Sequence, residues 1–235
     1  MKKTKIEWCD YSWNPIKGLC PMNCKTPDGK EYCYARKIYK RFNPYPALLE
    51  DNRLDLNFLE LEKPIKLHPH KKPKDWPLRI FICSTIELFH PSIPKWWRDE
   101  IFKIIRILNC FTFIILTKLP QNIDRLMPDN VWLGTSITWG ERRDIYLKRR
   151  KDPKIKFISF EPLFWMSREM AVDIIDEKIS WVIIGRLTGF GRKYNPPKEY
   201  VEQIVKAAKE LNIPIFMKDN LRPIMGDNLI QEWPR

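Results

Sequence analysis

The sequence predicts an α/β fold built on a parallel sheet, closed completely or partially into a (β/α) barrel. Two observations carry this. Six or seven short, near-continuously apolar runs rich in β-branched residues recur along the 235 residues, and stretches with helical apolar spacing separate them. Strands apolar on both faces belong to parallel sheets covered on each side. That many strand–helix units suffice for a closed or nearly closed barrel. An open doubly wound sheet is the alternative.

The predicted strands, in order, are a short one at Lys5–Trp8, then Leu78–Cys83, Phe111–Leu116, Val131–Leu133, Ile155–Phe160, Trp181–Ile184 and Pro214–Met217. Tyr34–Phe42 reads as a short basic helix. Ile93–Asn109 places Ile101, Ile104, Ile105 and Leu108 on one helical stripe, with Pro94 suited to its first turn. Tyr200–Leu211 repeats the pattern through Val201, Ile204, Val205 and Ala208. Residues 121–127 and 141–150 are shorter helical candidates. Residues 43–77, rich in Pro, Lys and Leu, show no single period and read as an irregular insertion. A single domain over 1–235 is expected.

In either architecture, functional side chains gather where parallel strands end. Those positions carry Ser84, Thr85, Glu87, Thr117, Lys118, Ser136, Glu161, Arg186 and Lys218. The basic runs Arg36–Arg41, Lys71–Lys74 and Arg142–Lys151, within a net charge of +13, suggest a phosphate-binding rim and a nucleic-acid partner. Solvated helix faces would give the same runs. No apolar stretch is long enough for a membrane span, and the N-terminus lacks a secretory apolar core. A cytoplasmic, reducing setting is therefore expected.

In such a setting, three cysteines within fourteen residues favour a metal over a disulfide. Cys20, Cys24 and Cys33 lie in a loop with Pro21, Pro27 and Gly29, separated by three and then eight residues. Three thiolates satisfy three irons of a [4Fe–4S] cluster and leave the fourth iron open, the arrangement that binds S-adenosylmethionine (SAM) in radical chemistry. Zinc, with Cys9, His68, His70 or Cys83 as fourth ligand, fits the same residue types. Spacing alone leaves both readings open.

Several motifs resemble those of the phage-associated radical-SAM-like proteins, a family of unknown function with a three-cysteine motif. They are Lys5-Ile6-Glu7-Trp8-Cys9-Asp10 with Trp13-Asn14-Pro15, then Gly18, Cys20, Cys24 and Cys33-Tyr34-Ala35, and Phe81–His90. Leu116-Thr117-Lys118, Trp132-Leu133-Gly134 with Ser136, Phe157–Leu163 and Trp181–Gly185 follow in the same order. Here the last cysteine gap is widened by Lys25–Tyr32, and Cys9 stands where many relatives have Thr.

The resemblance implies a radical SAM type of barrel and an enzyme using a [4Fe–4S] cluster, SAM and an external electron donor. Cys20, Cys24 and Cys33 would ligate the cluster. Tyr34 would flank the adenine, and Glu87 would pair with the SAM amino group. Ser136 and Glu161 would hold ribose hydroxyls or substrate. Lys118, Arg186 and Lys218, with Thr117, would bind carboxylate or phosphate, and His90 would donate a proton. A protein partner is not identified. The competing readings are a zinc-stabilised nucleic-acid-binding protein without catalysis, and a metal-dependent nuclease built on Glu87, Glu161 and Asp219.

Overall fold

A computed structural model of the chain describes residues 3–42, 54–67 and 77–234. They fall into two compact units, Met1–Asp124 and Arg125–Arg235.

In the first unit, β1 (Tyr11–Trp13) is followed by β2 (Ile16–Lys17), α1 (Tyr34–Phe42), β3 (Asp55–Leu56) and α2 (Phe58–Leu61). β4 (Arg79–Ile82), α3 (Lys95–Ile107) and β5 (Thr112–Thr117) complete it. Strands β1, β4 and β5 lie side by side and parallel, with Trp13 opposite Ile82 and Ile82 opposite Ile115. The second unit repeats the pattern four times: β6 (Val131–Ser136), α4 (Asp144–Lys148), β7 (Ile155–Phe160), α5 (Arg168–Ile174), β8 (Trp181–Ile184), α6 (Lys198–Glu210), β9 (Ile215–Met217) and α7 (Arg222–Met225). Its strands β6 to β9 are parallel and adjacent in chain order. The protein is therefore an α/β fold of parallel strands joined by helical crossovers.

The cores follow from the apolar runs. Trp13 and Trp181 are fully buried, and burying a side chain of that size is worth about 4–6 kcal/mol. In the second unit, register separates two faces by residue type. One carries Trp132, Phe157, Trp181 and Phe216 and turns polar at the strand ends, through Ser136 and Ser159. The other carries Leu133, Ile158, Phe160, Val182 and Ile215. Phe157 lies over Gly134, where an added Cβ would sit 2.3 Å from its ring. The last residues close the β9 edge: Met217 N–H donates to the Ile230 carbonyl at 2.7 Å, and Trp181 Nε1 to the Glu232 carbonyl at 2.8 Å.

Three expectations differ from the structure. Lys5–Trp8 is a turn rather than a strand. Its apolar residues pack individually, Trp8 against Phe81 at 4.7 Å, and the first strand begins at Tyr11. Asp10 fastens that strand, accepting from the Arg79 backbone N–H at 2.8 Å and from its guanidinium at 3.2 Å. Residues 121–127 form only a 3₁₀ turn at Pro120–Asn122, where the Asn122 side-chain amide donates to the Phe89 carbonyl at 3.1 Å. Pro94 is extended (ψ 141°) and caps α3 rather than entering it.

Of the 43–77 insertion, the described part is a buttress. β3 pairs antiparallel with β2, and the Glu60 carbonyl at α2 accepts from Trp13 Nε1 at 2.8 Å. His68, His70 and Lys71–Lys74 lie outside the described residues.

Candidate functional site

The cysteine loop belongs to the first unit and is shaped by a hairpin. Residues 25–31 fold back around Thr26-Pro27-Asp28-Gly29, a turn in which Pro presets φ and Gly supplies the left-handed position (φ 82°). Gly29 N–H donates to the Thr26 carbonyl at 2.9 Å, Thr26 N–H to the Lys30 carbonyl at 2.8 Å, and Lys25 bridges Glu31. Tyr32 N–H then reaches the Cys24 carbonyl at 3.1 Å. The widened gap is thus taken up by the hairpin, which leaves the Cys24 and Cys33 thiols in hydrogen-bond contact.

Electrostatics distinguish the three sulfurs. The hydrogen bond from Cys24 holds the Cys33 thiol down at about 6, against a contrary effect of burial. The N–H groups of Arg36 and Ala35, in the first turn of α1, and the Arg36 charge act in the same direction as that bond. Cys24 is pushed up, chiefly because its proton is held by Cys33 and secondly by burial; the Lys118 ammonium partly offsets this. Burial raises Cys20, whose thiol meets the backbone of Met22 and of Glu87 and lies in the field of Cys33 and Glu87. Cys83, buried at the end of β4 in a left-handed conformation (φ 52°), is also raised by burial and lies in the field of Glu87 and Cys20.

Arg36 braces the loop from α1, donating to the Cys20 carbonyl at 2.7 Å and to Glu31 at 3.0 Å. Sequence reasoning gave Arg36 only to a basic run; its five-residue spacing from Glu31 is not a helical pair and carries no local signal.

Among the remaining first-unit candidates, Glu87 and Lys118 lie in the field of the loop's thiols. Glu87 is buried. Its carboxylate accepts from the Lys118 N–H at 2.7 Å, from the Phe89 N–H at 3.3 Å and, in a short bond, from the Thr117 hydroxyl, so it ties the loop after β4 to the end of β5. Burial raises its pKa above the usual carboxylate range against these donors. Thr117, read as an anion ligand, is committed to this carboxylate. Tyr34 donates its hydroxyl to the Ser84 carbonyl and keeps its ring half exposed. His90 accepts from the Ser92 N–H at Nδ1, 3.1 Å away.

In the second unit, Lys218 is ion-paired with Glu161 above Gly185, where a Cβ would stand 3.0 Å from the Lys218 chain and 3.2 Å from the Glu161 carboxyl. The Ser159 hydroxyl is buried without a hydrogen-bond partner, beside Ser136 in register. Arg186 does not present itself to a ligand. Its guanidinium is held by the Asn220 carbonyl, by Asn195 Oδ1 at 3.1 Å and by the Leu187 carbonyl at 3.3 Å. Much of the Arg142–Lys151 run is engaged in ion pairs, with Arg142, Arg149 and Lys151 exposed. Arg142 and Lys148 clasp fully buried Asp144 at 3.1 and 3.0 Å, and Arg150 pairs with Asp152 at 2.8 Å.

A cluster requires thiols that can approach one body and give up protons. Cys20, Cys24 and Cys33 share one electrostatic neighbourhood, in which Lys118 and Arg36 supply positive charge, but only Cys33 is lowered toward the thiolate; Cys20 and Cys24 hold their protons more tightly. Among the described residues, no three His, Cys, Asp or Glu side chains already surround a point as metal-ion ligands would.

Fold and site together define an α/β protein of parallel strands with a cysteine-lined loop at a strand end. Residues 3–222 match the family described as a protein of unknown function (DUF5131), and the chain belongs to that family. No curated protein and no solved structure matches it. No described helix is long and apolar enough to cross a membrane.

Proposed function

We propose that this protein is a radical SAM-type enzyme whose cluster is held by Cys20, Cys24 and Cys33. The observation that carries the reading is the hairpin, which restores the neighbourhood of three thiols that the sequence spacing had pulled apart. A bound [4Fe–4S] cluster would supply the electron that cleaves the sulfonium bond of SAM, the electron coming from an external donor.

The chain's own residues have separate tasks. Arg36 fixes the Cys20 backbone and the hairpin together. Lys118 offsets the negative charge that three thiolates create beside Glu87. Tyr34, the residue after Cys33, offers a ring for stacking on the adenine. Glu87 retains lone-pair capacity for an ammonium after accepting its three hydrogen bonds. In the second unit, the Glu161–Lys218 pair offers opposite charges to a polar ligand of its own, and a nucleic-acid or nucleotide-like substrate matches the charge of +13.

The test is anaerobic reconstitution with iron and sulfide, followed by metal analysis and assay for 5′-deoxyadenosine with SAM and a reductant. Iron and sulfide bound together, with product lost in Cys20→Ala, Cys24→Ala and Cys33→Ala, is the expected result. Stoichiometric zinc in a colourless protein that leaves SAM intact would overturn it.

A further inference from the structure

Four aromatic rings contact one another in succession on three consecutive strand-end loops of the second unit. Trp139 follows β6, Phe164 follows β7, and Phe190 and Tyr194 follow β8. Their centroids succeed one another at 5.9 Å (Trp139–Phe164), 6.3 Å (Phe164–Tyr194) and 6.2 Å (Tyr194–Phe190). Trp139 is 43% exposed, and Phe164 and Phe190 are half-buried. Tyr194 is buried and backs the cluster, whereas Trp139, Phe164 and Phe190 retain accessible surface, unlike the sealed rings of Trp181 and Phe157.

The surroundings are cationic. Between Glu177 and Glu199 the chain has Lys178, Arg186, Arg192, Lys193 and Lys198 and no acidic residue. Arg192 and Lys193 are exposed beside the rings, and the Lys193 ammonium lies 5.4 Å from the Tyr194 ring. Gly189 (φ 79°) and Gly191 (φ 76°) bracket Phe190, and a Cβ on either would meet open space. Their absent side chains therefore serve the backbone path that displays Phe190. Arg186 pins this loop near both ends, through the Leu187 carbonyl and Asn195. Much of Arg142–Lys151 is neutralised by internal carboxylates, and Arg36 and Lys40 of α1 are drawn to Glu31.

We propose that the accessible rings of Trp139, Phe164 and Phe190, held together by buried Tyr194 and with Arg192 and Lys193 beside them, are a binding platform for single-stranded nucleic acid. Rings offered in series take unpaired bases by stacking, whereas duplex bases are already stacked on one another. The flanking cations take the phosphates. The platform uses no cysteine and does not depend on the cofactor reading.

The test measures anisotropy of labelled oligothymidylate, oligouridylate and a duplex, each of about a dozen nucleotides, with the full-length protein across a salt series. Single strands are expected to bind at least tenfold more tightly than duplex. The ratio of the two single-stranded arms reports whether the 2′-hydroxyl is read. Trp139→Ala and Phe190→Ala should each weaken binding about tenfold, with unchanged circular dichroism and melting temperature. Arg192→Gln with Lys193→Gln should lower the salt slope by about 1.4. Triple Cys→Ala protein should bind as the wild type does, so loss of cluster chemistry and loss of this platform are separable. Equal affinity for duplex and single strand, or folded Trp139→Ala and Phe190→Ala proteins that bind undiminished, overturns the proposal.

Discussion

Cys24 and Cys33 stand nine positions apart, yet their thiols share a hydrogen bond because the chain between them reverses at Gly29. The contact makes the two sulfurs unequal. Cys24 keeps the proton, and Cys33 becomes the thiolate near α1. In metal-free protein an alkylating agent should therefore modify Cys33 first, with a rate midpoint near pH 6. Cys24→Ala should move that midpoint upward by removing the donor that lowers it. Mass-spectrometric mapping of alkylated peptides against pH checks both outcomes, and preferential modification of Cys24 would contradict the assignment.

The same asymmetry sets a sign on stability. A thiol lowered to about 6 in the folded chain and near its ordinary 9.0 when unfolded leaves the unfolded state binding more protons between those values. Its contribution to stability is complete above about pH 9 and is lost as pH falls through about 6. Raised Cys24 and Cys20 oppose it at the alkaline end. Chemical denaturation of metal-free wild type and Cys33→Ala across this window should show the wild type gaining relative to the variant from pH 6 toward 9. Parallel curves would show that the Cys33 thiol is not depressed.

Gly29 isolates the backbone requirement of the hairpin. Its added Cβ would meet nothing within 4 Å, so any cost of substitution comes from φ 82° alone. Gly29→Ala should cost about 1 kcal/mol in global stability. Reconstituted iron should fall with it if hairpin closure limits ligation. A melting curve and an iron assay on the same sample measure the two effects.

The pattern of what could be read in advance is physical. Ile155–Phe160 and Trp181–Ile184 appear at their predicted bounds because buried parallel strands are continuously apolar, which is a local property. Tyr34–Phe42 is likewise local. The role of Arg36 was not legible, since it depends on how the hairpin returns Glu31 to α1. Lys5–Trp8 misled because an apolar run records burial and not backbone geometry. Glu87 was singled out as a residue following a strand, but its ties to Thr117 and Lys118 depend on two chain segments thirty residues apart meeting. The Arg142–Lys151 run showed its charges but not the carboxylates of Asp144, Asp173 and Asp176 that meet them.

Asp144 gives that network a measurable centre. It is fully buried between Arg142 and Lys148, whose side chains are 39% and 10% exposed. Removing the carboxylate leaves the largely buried ammonium of Lys148 with Asp176, at 3.0 Å, as its remaining acidic partner. Asp144→Ala should cost about 3–5 kcal/mol, whereas Arg142→Ala, at the more exposed end, should cost about 1 kcal/mol or less. Denaturant titration of the two variants distinguishes a buried ion pair from a solvated one, and similar small losses in both would refute the buried character of the Asp144–Lys148 pair.

The tightest glycine requirement lies at Gly134, beneath the Phe157 ring. A methyl group there would sit 2.3 Å from ring carbons, far inside contact distance, and Phe157 has no solvent-facing escape because it is fully buried. Gly134→Ala should destabilise by about 1–3 kcal/mol through overpacking. Because the clash is with one ring, Phe157→Leu should cost less in the Gly134→Ala background than in the wild type, since the smaller side chain then makes room for the methyl group. A double-mutant cycle by denaturant titration yields this coupling directly. Additive losses would mean that the ring is not what excludes a side chain at position 134.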